Sequence, residues 1–140
     1  MLTNPNIGAA LLAWLVAQFI KFTIDAFKSK KLDFTYFVST GGMPSAHSAS
    51  VSALATSVGH HHGFSTPVFA VALWFALIVM FDAQSVRRAA GEQAKLLNQI
   101  VEELLTNHHL SQQKLAELLG HTRLEVFAGM AIGILIGFWI

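Results

Sequence analysis

The stretch Phe34 to Phe81, FTYFVSTGGMPSAHSASVSALATSVGHHHGFSTPVFAVALWFALIVMF, contains no Asp, Glu, Lys or Arg. Two further segments share this property: Ile7 to Ile20 (IGAALLAWLVAQFI) and Val126 to Ile140 (VFAGMAIGILIGFWI). A water-soluble domain scatters charges through such lengths, whereas an apolar run of roughly 18 or more residues reads as a membrane span. The three segments therefore predict an integral membrane protein rather than a soluble helical bundle with a very apolar core. The chain has 140 residues, which fits a single domain over 1–140. It carries 9 Lys plus Arg against 8 Asp plus Glu; 12% of residues are charged and 54% hydrophobic. That balance excludes a disordered tail and a basic nucleic-acid arm, so no nucleic-acid partner is expected. With no Cys, a disulfide framework, a zinc ribbon and a thiol nucleophile are excluded too. The first apolar segment lacks a basic lead-in, and Lys21 and Asp25 follow it without an A-x-A site, so it reads as a span rather than a secretory signal.

The expected fold is all-α: a membrane helical bundle of about four hydrophobic helices plus an amphipathic interfacial helix. The first helix should run from about Ile7 to Phe27, closed by Lys28-Ser29-Lys30-Lys31, cations that suit a helix C-terminus and a headgroup layer. Gly41-Gly42-Met43-Pro44 is a turn, and Pro44 suits the first position of a second helix reaching about Val58. Its Ser and Ala residues allow close helix packing. Gly59 to Pro67 should be a loop, with His60-His61-His62 solvated on it. A third helix covers Val68 to Phe81 and leads toward the amphipathic pattern of Val86, Ala89, Ala90, Leu97, Ile100, Val101, Leu104 and Leu105. Thr106 to Leu110, with His108-His109, reads as a loop, and Ser111 to Gly120 as a short helix. The last helix begins near Thr122 and carries Gly129, Gly133 and Gly137 on one face. That face suits either packing within the chain or a homodimer. The apolar parts of the third and last helices, near 15 residues, are short for a full span.

If the hydrophobic helices alternate up and down, the unusual polar residues meet at one membrane face. They are Lys21 to Lys31, Ser45 and His47, Asp82 to Arg88, and His121 to Glu125. The Lys and Arg residues lie on or toward that face, which the positive-inside bias makes cytoplasmic. Two histidines, several cations and a glycine-led helix N-terminus suit a phosphate group. One imidazole can attack phosphorus while the other protonates the leaving oxygen, and a nearby carboxylate can orient the attacker. The scheme calls for no metal and no cofactor.

Three blocks carry a family resemblance: Gly41-Gly42-Met43-Pro44-Ser45-Ala46-His47-Ser48-Ala49, Asp82-Ala83-Gln84-Ser85-Val86-Arg87-Arg88-Ala89-Ala90-Gly91, and Gly120-His121-Thr122-Arg123-Leu124-Glu125-Val126-Phe127-Ala128-Gly129. Over nearly its whole length the chain resembles the divergent branch of the type 2 phosphatidic acid phosphatase superfamily, also described as acid phosphatase/vanadium-dependent haloperoxidase related. The parent superfamily has the motifs K-x6-R-P, P-S-G-H and S-R-x5-H-x3-D. Pro44-Ser45-Ala46-His47 resembles the second, with Ala for Gly; His121-x3-Glu125 resembles the end of the third, with Glu for Asp. Lys21-x6-Lys28 has the spacing of the first, with Lys for Arg and no following Pro, and Leu115 stands where the third motif has Arg. Arg87 or Arg88 could supply that charge. A Lys lacks the bidentate fork of Arg, which changes how phosphate is held.

The resemblance implies a metal-independent phosphatase acting on lipid phosphates, phosphomonoester or pyrophosphate, through a phosphohistidine. His121 would attack, His47 would act as general acid, Glu125 would orient His121, and Lys21, Lys28, Ser45, Arg87 and Arg88 would hold phosphate oxygens. Each residue has a plainer reading. His47 could bond local backbone, Glu125 could complete a capping box with Thr122, and Arg87 and Arg88 could be interfacial anchors. Asp82 closes an apolar helix and calls for a cationic partner. The altered motifs leave open a non-catalytic membrane scaffold or anion-binding module, and a vanadate haloperoxidase is the third alternative. The expected partners are a lipid phosphate, membrane lipids and a second copy of the chain. The expected location is a bacterial inner (plasma) membrane.

Overall fold

The computed structural model describes residues 4–29, 42–105 and 121–140, and at 28–29, 86–88 and 103–105 the backbone alone. All regular structure among these residues is helical: α1 (Pro5–Ser29), α2 (Ala46–His62), α3 (Pro67–Phe81), a π turn (Asp82–Val86), α4 (Arg87–Leu105) and α5 (Arg123–Trp139). The predicted Thr106 to Leu110 loop and Ser111 to Gly120 helix lie outside the described residues.

Helix α2 is the centre of the assembly, packed against α1, α3 and α5. Its sequence explains the position. Ala46, Ser48, Ala49, Val51, Ser52, Ala53, Ala55, Thr56, Ser57, Val58 and Gly59 are all buried, and small side chains let neighbouring backbones come close on several sides. One core cluster joins Ala9, Ala13 and Ala17 of α1 to Ala46, Ala49 and Ala53 of α2. A second joins Val51 and Ala55 to Ala76 of α3. The outside is the reverse. Trp14, Phe19, Val71, Trp74, Ile78, Phe127 and Leu135 are exposed. Small residues inside and large apolar residues outside suit a hydrocarbon solvent and would be costly in water.

Two helical stretches are long and apolar enough to cross a membrane, Pro5–Phe27 and Pro67–Glu102. Only 28% and 11% of their apolar windows are buried, so neither resembles the core helix of a soluble protein. The second stretch resolves the length of the third helix. The chain does not break after Phe81 but continues through the π turn into α4, so the short apolar segment is one part of a longer helical rod. Helix α5, with 17 residues, is about 26 Å long.

Several boundaries differ from the sequence expectation. Pro44 is not the first helical residue: Ser45 is the N-cap, its Oγ accepting from the Ser48 N–H. Helix α2 runs past Val58 through His62 and stops at Gly63, whose φ of 95° is open to glycine. His60, His61 and His62 therefore form the last helical turn, not a loop. His61 Nδ1 bonds the Ser57 carbonyl, and His62 Nε2 pairs with Asn6 Nδ2. The Ser57 hydroxyl donates to Asn6 Oδ1 at 2.9 Å. This network pins the start of α1 to the end of α2, fixing the two as antiparallel.

The glycine face of α5 is used for packing within the chain, one of the two uses its spacing allowed. Gly129, Gly133 and Gly137 are buried against α2, where an added methyl would overlap the carbonyl oxygens of Ser45 and Ala49 and come within 2.7 Å of that of Ala53. Each step of four residues on α5 matches a step of four on α2, so the two helices run parallel in close register. A homodimer cannot use this face, because α2 already occupies it.

Candidate active site

The parallel arrangement places the N-termini of α2 and α5 side by side. Thr122 caps α5, and Glu125 completes a capping box by returning its side chain to the Thr122 N–H. The Ser45 N–H donates to the Glu125 carbonyl oxygen at 2.9 Å, joining the two helix starts. The His121 N–H donates to the Ala83 carbonyl in the π turn at 3.0 Å. Three separate segments are thus tied by main-chain bonds around one point. π turns interrupt helices at functional places, and here the turn holds the residue that fixes His121.

Both roles weighed for Glu125 are present at once. Its Oε2 lies 3.1 Å from the Thr122 nitrogen and 3.0 Å from His121 Nδ1. A carboxylate oxygen accepts, so Nδ1 is the donor of this pair. His121 is 6% exposed and His47 is exposed. Their ring centroids are 6.3 Å apart with the planes tilted by 57°. Attack and proton transfer each need approach to about 3 Å, so the two rings are close enough together to serve one reacting group.

Lys21 reaches this place from α1. It is 3% exposed, and its Cγ, Cδ and Cε lie 3.6 to 3.7 Å from where a Gly42 Cβ would sit. Gly42 has a φ of 84°, so it both makes the turn and leaves room for the lysine stem. Asp25 and Glu125 are the acidic groups whose charge Lys21 feels. Ser45 is fully buried, with its Oγ accepting from both the N–H and the hydroxyl of Ser48. Lys21, Ser45, His47, His121 and Glu125 therefore come together. Lys28 lies on the last turn of α1, and Arg87 and Arg88 open α4; their side chains fall outside the described residues. Among the described residues there is no cluster of His, Asp and Glu suited to a metal ion.

Sequence reasoning missed Gln18 and the Ala83 carbonyl. Gln18 is the sole polar residue between Ile7 and Ile20, which was a usable signal. It is 6% exposed, and its Oε1 has no hydrogen-bond partner among the described residues. Nothing in the one-letter code marks a main-chain acceptor such as Ala83.

The family model described as the divergent PAP2 family matches residues 2–136. The chain belongs to the divergent PAP2 family. Among its relatives is a Bacillus subtilis (strain 168) protein named uncharacterized membrane protein YuiD, 45% identical, with 97% of this chain and 93% of that protein covered. No solved structure matches the chain. A membrane protein as relative agrees with the two membrane-length helices and the apolar exterior, so this divergent PAP2 chain is a PAP2-related membrane protein.

Proposed function

We propose that this protein is a membrane-bound lipid phosphate phosphatase working through a phosphohistidine. The observation that carries the reading is the His47–His121 pair at 6.3 Å, with the second ring oriented by Glu125. His121 Nε2 forms a bond to phosphorus as the phosphorus–oxygen bond to the lipid breaks. His47 gives its proton to the departing oxygen. Water then attacks the phosphohistidine, His47 takes the water's proton, and the nitrogen–phosphorus bond breaks to release inorganic phosphate. Glu125 stabilises the imidazolium that His121 becomes during the cycle. Lys21 and the paired N-termini of α2 and α5 supply positive potential for the phosphoryl oxygens, and Lys28, Ser45, Arg87 and Arg88 are the further phosphate-holding residues. Helices α1, α2, α3 and α5 cross a bacterial inner membrane, with the site at the cytoplasmic face where the Lys and Arg residues gather.

The test is phosphate release by protein purified in detergent, over a panel of lipid monophosphates and pyrophosphates. His121→Ala abolishes release, and His47→Ala slows it most for substrates with poor leaving groups. Turnover equal to wild type in both variants removes the mechanism. A second reading, an anion-binding protein without turnover, is favoured by one feature: the motifs are altered, with Leu115 where the parent superfamily's third motif has Arg. Vanadate or phosphate binding with no release from any substrate would establish it.

A further inference from the structure

Arg123 is the first residue of α5, two places after His121. Their Cα atoms are therefore at most about 7 Å apart, a distance that the guanidinium spans on its own stem. The side chain is exposed, and among the described residues no hydrogen bond or ion pair holds it. Its position is electrostatically unfavourable. A helix N-terminus favours anions and disfavours cations. The start of α2 lies against the start of α5 through the Ser45 N–H to Glu125 carbonyl bond, so two positive helix ends face this arginine. Glu125, the acidic residue of the same turn, is engaged with His121 and the Thr122 N–H. Successive residues turn by about 100° along a helix, so Arg123 leaves α5 about 160° round from Glu125. The Nδ1 edge of His121 faces that carboxylate, and Nε2 lies on the far edge of the ring. A cation kept in such a place gains its counter-charge from an anion that arrives as a ligand.

Burial separates the groups of the site into two levels. Lys21 and His121 are 3% and 6% exposed and serve the phosphoryl group under attack. His47 and Arg123 are exposed. His47 protonates the departing oxygen, so the leaving group lies toward the exposed level, where Arg123 stands. We propose that Arg123 is a specificity residue for a second phosphate carried by the leaving group, which makes the preferred substrate a lipid pyrophosphate rather than a lipid monophosphate. His121 Nε2 forms a bond to the terminal phosphorus. The bond from that phosphorus to the bridging oxygen breaks, and its electron pair stays on the departing lipid monophosphate. Negative charge grows on that phosphate, and the planar guanidinium meets it with two parallel N–H donors. A lipid monophosphate leaves as a neutral alcohol and offers Arg123 no charge to bind. The proposal rests on the phosphatase reading for the reaction itself.

The probes are a prenyl pyrophosphate and the prenyl monophosphate of the same chain length. Binding probes are their non-hydrolysable analogues, with a methylene group in place of the bridging or ester oxygen. With the full chain in detergent, wild type favours the pyrophosphate by about tenfold in kcat/KM, and the analogues show the same preference in affinity. Arg123→Gln brings both ratios close to one. Arg123→Lys keeps the charge without the fork and retains part of the preference. Ligand-free Arg123→Gln melts at or above wild type, because a cation leaves a positive helix end, so lost preference is not lost fold. Wild type with a ratio near one overturns the proposal and leaves the phosphatase reading intact. So does an Arg123→Gln variant that keeps the ratio, including one that loses both substrates equally. No turnover on either lipid, with analogue binding that still prefers two phosphates through Arg123, removes the phosphatase reading and keeps Arg123 as the recognition residue.

Discussion

Replacing Gly129 by alanine tests the contact on which the candidate site depends. The new methyl would overlap the Ser45 carbonyl oxygen and lie 3.1 Å from both Ser45 C and Ser48 Cβ. Two of these atoms are backbone and cannot rotate away, so α5 must move off α2 by about 1 Å to reach ordinary contact distance. Overpacking of this kind costs about 1–3 kcal/mol. The same movement stretches the Ser45 N–H to Glu125 carbonyl bond, worth about 1 kcal/mol. Alanine returns up to about 1 kcal/mol of helix propensity. The net expectation is a loss of about 1–3 kcal/mol. Gly8→Ala is the internal control: it also lies in a helix, and nothing approaches within 4 Å of its added methyl, so it should gain stability. Thermal unfolding in detergent measures both. Turnover gives a second readout, since a displacement of about 1 Å between His47 and His121 lowers it by about 100-fold. If Gly129→Ala melts at or above Gly8→Ala and keeps wild-type turnover, the parallel contact does not hold the site.

Glu125→Gln keeps an acceptor for the Thr122 N–H but removes the charge facing His121; turnover should fall at least tenfold while stability changes by less than about 1 kcal/mol. Glu125→Ala also removes the cap and should cost about 0.5–2 kcal/mol in thermal unfolding. Asn6→Ala leaves the fully buried Ser57 hydroxyl without its acceptor. It should lose about 1–3 kcal/mol of stability yet retain turnover, because it lies at the opposite end of the helices from His121. The chain has no Cys, so Ser65→Cys and Lys95→Cys are each a single label site in the intact protein. A membrane-impermeant maleimide applied to whole cells should modify Ser65→Cys and not Lys95→Cys; the reverse pattern inverts the proposed orientation.

The class of fold was legible because charge is excluded from long stretches of sequence, and that exclusion needs no tertiary knowledge. The convergence of Lys21, Ser45, His47, His121 and Glu125 was legible for a similar reason: alternating helices put these positions at one end. What stayed hidden depended on distances between helices. Gly129, Gly133 and Gly137 mark a close contact, but the spacing is the same for an internal partner as for a second chain, and only the backbone of α2 against α5 separates the two. His60 to His62 looked like a loop because Gly59 precedes them. In the structure Gly59 stays helical, and the stop is Gly63 with its positive φ. The π turn had no signal in Asp82 to Val86, and its bond from the His121 N–H to the Ala83 carbonyl comes from a distant segment.

The glycines also bear on the electrostatics of the site. The parent superfamily's third motif has an Arg where this chain has Leu115, so a fixed guanidinium is missing from that position. Each helix N-terminus acts as roughly half a positive charge, carried by main-chain N–H groups that no substitution removes. Antiparallel neighbours would set one positive end against one negative end. Helices α2 and α5 are parallel, so their positive ends add, and they lie adjacent because Gly129 lets the Ser45 carbonyl approach. Parallel helices joined by a short loop are not possible; the chain must cross back between them, which α3 does. The order of the helices, the glycine face and the two caps at Ser45 and Thr122 thus work toward one result: a positive potential built into the backbone beside His121, in addition to the charge that Lys21 brings from α1.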